Sequence, residues 1–526
     1  MDEDVCATPE YDSCADPLLV EGSGSFQLSL AAAREDAALS CANADDGRRD
    51  AVVALVVPEG APTDVDVVAE TSLGLVTLAA FGECGDAGSE LACMEGAERD
   101  AGGSVARLVL RELAPGAYPL FVSGTSDLDV ALSVRFGPAL PAPVNETCGT
   151  AATLVPGESQ QLTLAGVARD VESACAQSGG DVVFAFELEQ PGDIELRAVS
   201  LDGYGEPVVS LRDAACSPRA SELGCRVSSP ATLFARALPA GSYYAVVASS
   251  AATDVDVRID AFPPTEAPPG EGCAEPPELT LGRTIEVDLT RRVDAVASAC
   301  QLSAADASYA LALETKSDVL LIERISAGDT GALSLLGADC RARSSLVCAA
   351  SDTSPVRARA LGVPAGEYRV VAESELGAPI TLTALARPAR AATLVAFAEG
   401  CEDAVMIPES GGRFVGNTAN AQPDFPASCD FGSGSEGAPD QMLRLELSER
   451  RRVIFDMGPS AYDTLLVLRN ASDCPGSELA RACAPGYRDG KSYLDVTLPA
   501  GEYFVQIDGY DGDSGAWVLD VFTADP

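Results

Sequence analysis

Short runs in which apolar and polar residues alternate recur along this chain, divided by clusters of Gly, Pro, Asp and Ser. Four of them open on an aspartate: Asp50-Ala-Val-Val-Ala-Leu, Asp181-Val-Val-Phe-Ala-Phe-Glu-Leu, Asp306-Ala-Ser-Tyr-Ala-Leu-Ala-Leu and Asp440-Gln-Met-Leu-Arg-Leu-Glu-Leu. Period two with β-branched and aromatic residues predicts half-buried strands. The aspartate at the mouth is expected to bond a turn backbone through its side chain. A second set of strands follows at Val65-Asp-Val-Val, Asp193-Ile-Glu-Leu, Asp318-Val-Leu-Leu and Arg452-Val-Ile-Phe. No stretch sustains a helical period.

The clearest local signal is a turn that occurs four times: Leu113-Ala-Pro-Gly-Ala-Tyr118, Leu238-Pro-Ala-Gly-Ser-Tyr243, Val363-Pro-Ala-Gly-Glu-Tyr368 and Leu498-Pro-Ala-Gly-Glu-Tyr503. Proline sets the entry angle and glycine relieves the turn. The tyrosine then opens a strand and is expected to hold a structural corner, not a catalytic site.

Cysteine spacing gives the same count. Cys14, Cys41, Cys84 and Cys93 form one group. Cys148, Cys175, Cys216 and Cys225 form the next, then Cys273, Cys300, Cys340 and Cys348, and last Cys401, Cys429, Cys474 and Cys483. The first gap in each group is 27 or 28 residues and the last is 8 or 9, which is an internal repeat of whole-domain length. About eight short strands per repeat predict an antiparallel β-sandwich. The fold class expected is therefore all-β, with four tandem jelly-roll-like sandwiches over 1–139, 140–264, 265–390 and 391–526. Proline-rich joints at Pro138 to Pro143, Pro263 to Gly270 and Arg387-Pro-Ala-Arg390 suggest semi-rigid spacers and a row of separate beads.

Each group of four is expected to make two disulfides. Four cysteines allow three pairings, and proximity favours first with second and third with fourth. Thiolate metal ligation is disfavoured by the wide gaps and the lack of a Cys-x-x-Cys pair. Cys6 is left over, unpaired within the chain or linked to a partner outside it. Disulfides on this scale point to an oxidising compartment: the extracellular medium, the cell surface or the periplasm. The residues from Met1 to Cys6 have neither the basic nor the apolar region of an export signal, so Met1 is expected to begin a mature or trimmed form.

Charge narrows the possible partners. With 80 acidic against 35 basic residues the net charge is −45, which repels phosphate backbones and anionic lipid, so no nucleic acid is expected as a partner. The apolar runs are too short for a membrane span. No histidine is present, which removes Ser-His-Asp and Cys-His chemistry and histidine-ligated metals. Only Lys316 and Lys491 are lysines, the remaining basic residues being arginine.

The order Asp463-Thr-Leu-Leu-Val-Leu, two cysteines, Leu498-Pro-Ala-Gly-Glu-Tyr-Phe-Val and Asp508-Gly-Tyr510, with Gly437-Ala-Pro-Asp440 before it and Gly515-Ala-Trp517 after it, resembles the bacterial pre-peptidase C-terminal domain. The likeness is to the cysteine-containing tandem form of secreted myxobacterial proteins, and it extends more faintly over the first three repeats. The resemblance implies jelly-roll-like sandwiches attached to secreted peptidases or surface proteins. Related modules of clostridial collagenases bind collagen and calcium. No peptidase domain is recognised in the chain.

Candidate chemistry is sparse. Asp508, Asp511 and Asp513 lie in Asp508-Gly-Tyr-Asp-Gly-Asp-Ser-Gly515, the one concentration of hard oxygen ligands beside turn glycines. Calcium is one reading of this loop; a solvated hairpin turn is the other, favoured because the spacing departs from the EF-hand and the other repeats lack the set. No further cofactor and no catalytic residue is indicated. Gly432 to Gly437 reads as a flexible loop without a phosphate-binding context, and Trp517 reads as core. The expected function is non-enzymatic: a secreted or cell-surface protein for adhesion, interaction or spacing, with a protein or polysaccharide of the surface or matrix as partner. The alternative is an accessory, non-catalytic region of a secreted peptidase or other hydrolase.

Overall fold

The computed structural model describes residues 11–526 apart from 32, 36–37, 42–47, 99–101, 126–127, 140–142, 165, 168–169, 172, 176–179, 218, 250–252, 301, 303, 397, 431–436 and 487–489. Cys6 and most of the Gly432 to Gly437 loop fall outside the described residues.

In the first repeat the alternating segments become ten strands: β1 (Leu18–Val20), β2 (Gly24–Ser29), β3 (Arg49–Val57), β4 (Thr63–Thr71), β5 (Val76–Phe81), β6 (Glu90–Glu95), β7 (Ala97–Glu98), β8 (Ser104–Leu113), β9 (Gly116–Gly124) and β10 (Asp129–Pro138). They form two sheets, ordered β1-β3-β9-β5-β6 and β2-β10-β4-β8-β7. Without the short β1 and β7, this is the strand order of an eight-stranded jelly roll. Every pair is antiparallel except β1 with β3. The other three repeats keep the order of the eight main strands. Among the described residues there is no α-helix, only short 3-10 turns.

Alternation places the core where it was expected. On β4, Val65, Val67 and Ala69 are buried between the sheets with Leu78, Leu108, Val122 and Val130. Equivalent sets fill the sandwiches at 154–259, 279–384 and 395–521. The recurrent tyrosine holds its corner in all four repeats. The hydroxyls of Tyr118, Tyr243, Tyr368 and Tyr503 donate to the carbonyls of Ala114, Pro239, Pro364 and Pro499 at 3.0, 2.9, 2.9 and 2.9 Å.

A bulge absent from the sequence reading sits just before that turn. In repeats one to three the residue at Glu112, Ala237 or Gly362 takes a positive φ of 52°, 50° or 63°. Each donates its backbone N–H to an aspartate, Asp64, Asp193 or Asp318. A bulge leaves a ladder N–H without a strand partner, and the carboxylate takes it up. Repeat four has Arg452 at this place, and its strands Arg451–Asp456 and Tyr493–Leu498 pair without a register shift.

Residues 1–267 and 268–526 form two units, each with two sandwiches that are packed together, where the sequence suggested separate beads. In the first unit Arg107 on β8 makes a two-pronged bond with Asp66 on its own sheet, 3.0 Å at each prong, and reaches Asp202 of the next sandwich at 3.0 Å. Its guanidinium lies 5.6 Å from the Tyr204 ring. In the second unit Arg357 stands at the same register, opposite Ile322 as Arg107 is opposite Val68, and bonds Asp456 of the next sandwich at 2.8 Å. Arg359 joins it on Asp456.

Arg387, expected in a linker, is instead in the strand Ile380–Pro388 and 4% exposed. It donates to Asp520 at 2.5 Å, to Asp318 at 3.3 Å and to the carbonyls of Gly412 and Val521 at 2.7 and 2.8 Å. Its guanidinium covers the Phe522 ring at 4.3 Å. Beside it Leu320, Ile322 and Leu385 of one sandwich pack on Ile454 and Phe522 of the other.

Candidate functional site

The cross-links concentrate at one end of each sandwich, and their pairing corrects the expectation from proximity. Cys14 joins Cys84 and Cys41 joins Cys93; the other repeats pair Cys148 with Cys216, Cys175 with Cys225, Cys273 with Cys340, Cys300 with Cys348, Cys401 with Cys474 and Cys429 with Cys483. First pairs with third, and second with fourth. The reason is the β5–β6 hairpin. Cys93 faces Ala79 across it, while Cys84 lies beyond the end of the strand, in the turn, five residues past Ala79. Two cysteines at different heights of one hairpin cannot meet, so each staples a separate loop to it. The closed loops span 48 to 73 residues, and the chain-entropy model gives each about 4 kcal/mol.

A glutamate beside the fourth cysteine reinforces the staple. Glu90, Glu222 and Glu478 accept the backbone N–H groups of Ser40, Ala174 and Ser428, at 3.1, 3.0 and 3.0 Å. Repeat three has Ser345 there. The sequence signal is Ser-Glu-Leu at 89–91, 221–223 and 477–479, a motif that the strand and cysteine patterns overshadow.

The strand-mouth aspartates do what their position suggests. Asp181 Oδ2 accepts the N–H groups of Asp170 and Val171, Asp306 Oδ2 those of Ala295 and Val296, and Asp440 Oδ2 those of Asp424 and Phe425, all at 2.7 to 3.0 Å. Each carboxylate pins the loop carrying the second cysteine to the sheet. Asp50 is buried at the corresponding site.

The three candidate calcium ligands are placed differently from one another. Asp508 is 2% exposed. Its carboxylate accepts from Gln506 Nε2 at 2.9 Å and from the Gly509 N–H at 2.8 Å. Asp511 and Asp513 are exposed, with Asp511 in the left-handed region at φ 52°. Among the described residues no group of three or more Cys, Asp or Glu side chains is arranged to hold a metal ion.

Asp508 instead faces Asp440, since Gln441 pairs with Ile507 in the ladder between their strands. Burial, with Asp440 and Asp430 nearby, pushes the Asp508 carboxyl up to about 8, against the Gly509 N–H and Gln506. Burial and Asp424 push Asp440 up to about 7, against its two backbone bonds. At 0% and 2% exposure neither carboxyl is open to a substrate. Trp517, 1% exposed in the core, donates to Gln441 Oε1 at 2.7 Å.

No protein-family model matches the chain, and no curated protein matches it. Among solved structures it is similar to a pre-peptidase C-terminal domain of collagenase from Bacillus anthracis, with 13% identity, a TM-score of 0.16, and coverage of 26% of this chain and 97% of that one. A likeness to the PBSX exported protein XepA has 9% identity and a TM-score of 0.15, covering 45% of this chain and 86% of that one. A third, to vicilin from Corylus avellana, has 10% identity and a TM-score of 0.09, covering 41% and 78%.

Proposed function

We propose that this chain is an exported, non-enzymatic protein of four sandwich modules, bounded at 1–139, 140–264, 265–390 and 391–526, which serves adhesion, interaction or spacing at a cell surface or in the surrounding matrix. The observation that carries this reading is the doubled staple of every module: two cross-links fix two loops to one hairpin. Disulfides in this number require an oxidising compartment, and loops held on a rigid sandwich are where such folds recognise partners. A protein or polysaccharide partner fits the acidic surface better than an anionic polymer does.

Intact mass of the naturally exported protein, with and without reduction and alkylation, tests the reading. Eight disulfides are expected, with Cys6 the one remaining thiol or linked to another chain. Seventeen free thiols would overturn the compartment. A much larger mass with a catalytic segment upstream would make this the accessory arm of a peptidase or other hydrolase.

A further inference from the structure

The strand that closes one sheet of repeat four is routed elsewhere in repeat three. In repeat four Thr393–Val395 adds in parallel to the edge strand Gly412–Asn417, with Thr393 opposite Phe414 and Val395 opposite Gly416, and Phe414 is 1% exposed. A shared bond locates the equivalent segment. The Ala398 carbonyl accepts the Met442 N–H as the Gly270 carbonyl accepts the Ser308 N–H, each donor two residues past its strand-mouth aspartate. Residues 265–267 therefore correspond to Thr393–Val395. They are held by repeat two instead: Thr265 donates through its N–H and Oγ1 to Asp193 at 3.1 and 2.6 Å, and the Glu266 carbonyl accepts from Arg236 at 3.3 Å.

The edge left over is Thr284–Val287. It pairs with Ile380–Pro388 on one side and with no described strand on the other, and such an edge is a template for pairing. Ile285 stands opposite Leu382 as Phe414 stands opposite Leu519, but it is only partly buried. Where repeat four has Gly412 and Val415, repeat three has Arg283 and Glu286. Both are exposed, and neither side chain has a hydrogen bond or ion pair among the described residues. A groove of about 670 Å³ opens at the start of the edge, lined by Arg283, Thr284, Arg451, Arg452 and Asp525 among others. Its three arginines against one carboxylate reverse the balance of a chain with net charge −45. Arg452 is engaged by Asp495 and Thr284, whereas Arg451 holds only Glu449 and Asp525, which are 62% and 90% exposed and weakly bound for that reason.

We propose that the Thr284–Val287 edge takes an extended peptide segment of a partner protein as a further parallel strand, with an acidic residue at Arg283, a basic residue at Glu286 and β-branched residues opposite Ile285 and Val287. Strand addition draws affinity from main-chain bonds and specificity from alternate side chains. The charged pair also separates this edge from the neutral Thr393–Val395 type of strand, because a charge left unmatched on the edge disfavours the wrong partner. The inference rests on the reading of this chain as an interaction protein and gives the class of partner for one module.

The test is titration of the full chain with the capped peptide Glu-Thr-Val-Arg-Val and with its charge-exchanged form Arg-Thr-Val-Glu-Val, followed by calorimetry and by amide hydrogen exchange. The first is expected to bind about tenfold more tightly, since two facing pairs change from attraction to repulsion in the second, and to slow exchange at residues 284–287. Arg283→Glu combined with Glu286→Arg should reverse the preference with an unchanged melting temperature, both side chains being exposed. Equal binding of the two peptides, a preference that the double substitution leaves in place, slowed exchange only at other residues, or no binding at about 1 mM peptide would each overturn the assignment. Protection of the same amides in the chain alone, rising with its concentration, would give the edge to a second copy and overturn it as well. The disulfide count in the exported protein is unaffected by any of these outcomes, so failure of the edge and failure of the exported reading are told apart.

Discussion

The two joints between neighbouring sandwiches use the same sheet of the preceding sandwich and differ in what they place on it. In residues 1–267 Arg107 crosses to Asp202, with both side chains still 15% to 18% exposed, and Arg111 lies against Gly166. Among the described residues, the hydrophobic clusters of this unit each stay within one sandwich. In residues 268–526 Arg357, Arg359 and Arg387 converge on Asp456 and Asp520, which are 0% and 1% exposed, and an apolar cluster spans both sandwiches. A buried ion pair gives little net stability over an apolar substitute, but its disruption is costly because the remaining charge cannot be solvated. The first joint is therefore tolerant of change. The second demands its complete set of partners.

Loss of Arg387 should break the comparison most visibly. Arg387→Met removes the buried cation from Asp318 and Asp520, leaving them the Gly362 N–H and Arg413, and frees two carbonyls, and it is expected to destabilise the second unit by about 3 kcal/mol, seen in calorimetry as separation of one cooperative transition into two. A single unshifted transition would show that the apolar cluster suffices.

Glu323 offers a sharper contrast between neighbours. It points into the core of repeat three where the equivalent residues are Ala69, Ala198 and Met457, and among the described residues neither of its carboxyl oxygens has a hydrogen-bond partner. Gly331 makes room: a Cβ there would lie 2.8 Å from Glu323 Oε2. Burial, with Asp329 and Glu373 adding to it, pushes this carboxyl well above the usual range. Glu323→Met should stabilise the second unit by about 1–3 kcal/mol at pH 8, measured by denaturant unfolding, and no gain would mean that the acid is satisfied in solution.

pH should divide the units as well. Among the described residues the carboxyls pushed upward, Glu323, Asp440, Asp508 and Asp520, all belong to 268–526. A carboxyl whose folded value exceeds its unfolded value stabilises fully at low pH and loses that contribution as pH rises between the two. The second unit should therefore lose melting temperature from about pH 4 to about pH 8, by several degrees, and Asp440→Asn should flatten the fall. In the first unit burial works against Asp202, but bonds from Thr253, Asp254 and Tyr204 with the charge of Arg107 hold its carboxyl below the usual value. Its contribution is present above about pH 4 and lost below it, so the first unit should be flat over the range in which the second declines. The smallest effect is expected from Arg107→Met, about 1 kcal/mol or less, and a loss as large as that of Arg387→Met would erase the distinction between the joints.

How far these features could be read from residues alone follows from their range along the chain. The period-two strands, the proline-glycine-tyrosine corners and the aspartates at the strand mouths are set within a dozen residues, and the structure has them where they were expected. The cysteine pairing depends on which residues of a hairpin stand at the same height, so proximity in sequence misled. Asp508, Asp511 and Asp513 are close in sequence, but a buried strand end and an exposed turn separate their surroundings. The second joint left one local trace. Val65-Asp-Val-Val alternates, whereas Val319-Leu-Leu-Ile322 is apolar without a break, as a strand covered on both faces requires. Phe81, Arg212, Leu336 and Arg469 show no common chemistry, and only the register of their strands, which begin opposite Gly124, Ser249, Ser374 and Gly509, identifies them as four solutions to one packing problem.

The interleaving of the two cross-links in each module has a further consequence for resistance to proteolysis. Cys14 to Cys84 and Cys41 to Cys93 overlap, so a protease that cuts the backbone once anywhere between Cys14 and Cys93 leaves both pieces covalently attached. The same holds between Cys148 and Cys225, Cys273 and Cys348, and Cys401 and Cys483. A single nick can divide the chain only at its ends or in 94–147, 226–272 and 349–400, which carry the closing strands of each module and the passage to the next. Digestion then sheds whole knotted frames, and the stapled loops remain on display after the polypeptide that bears them has been cut.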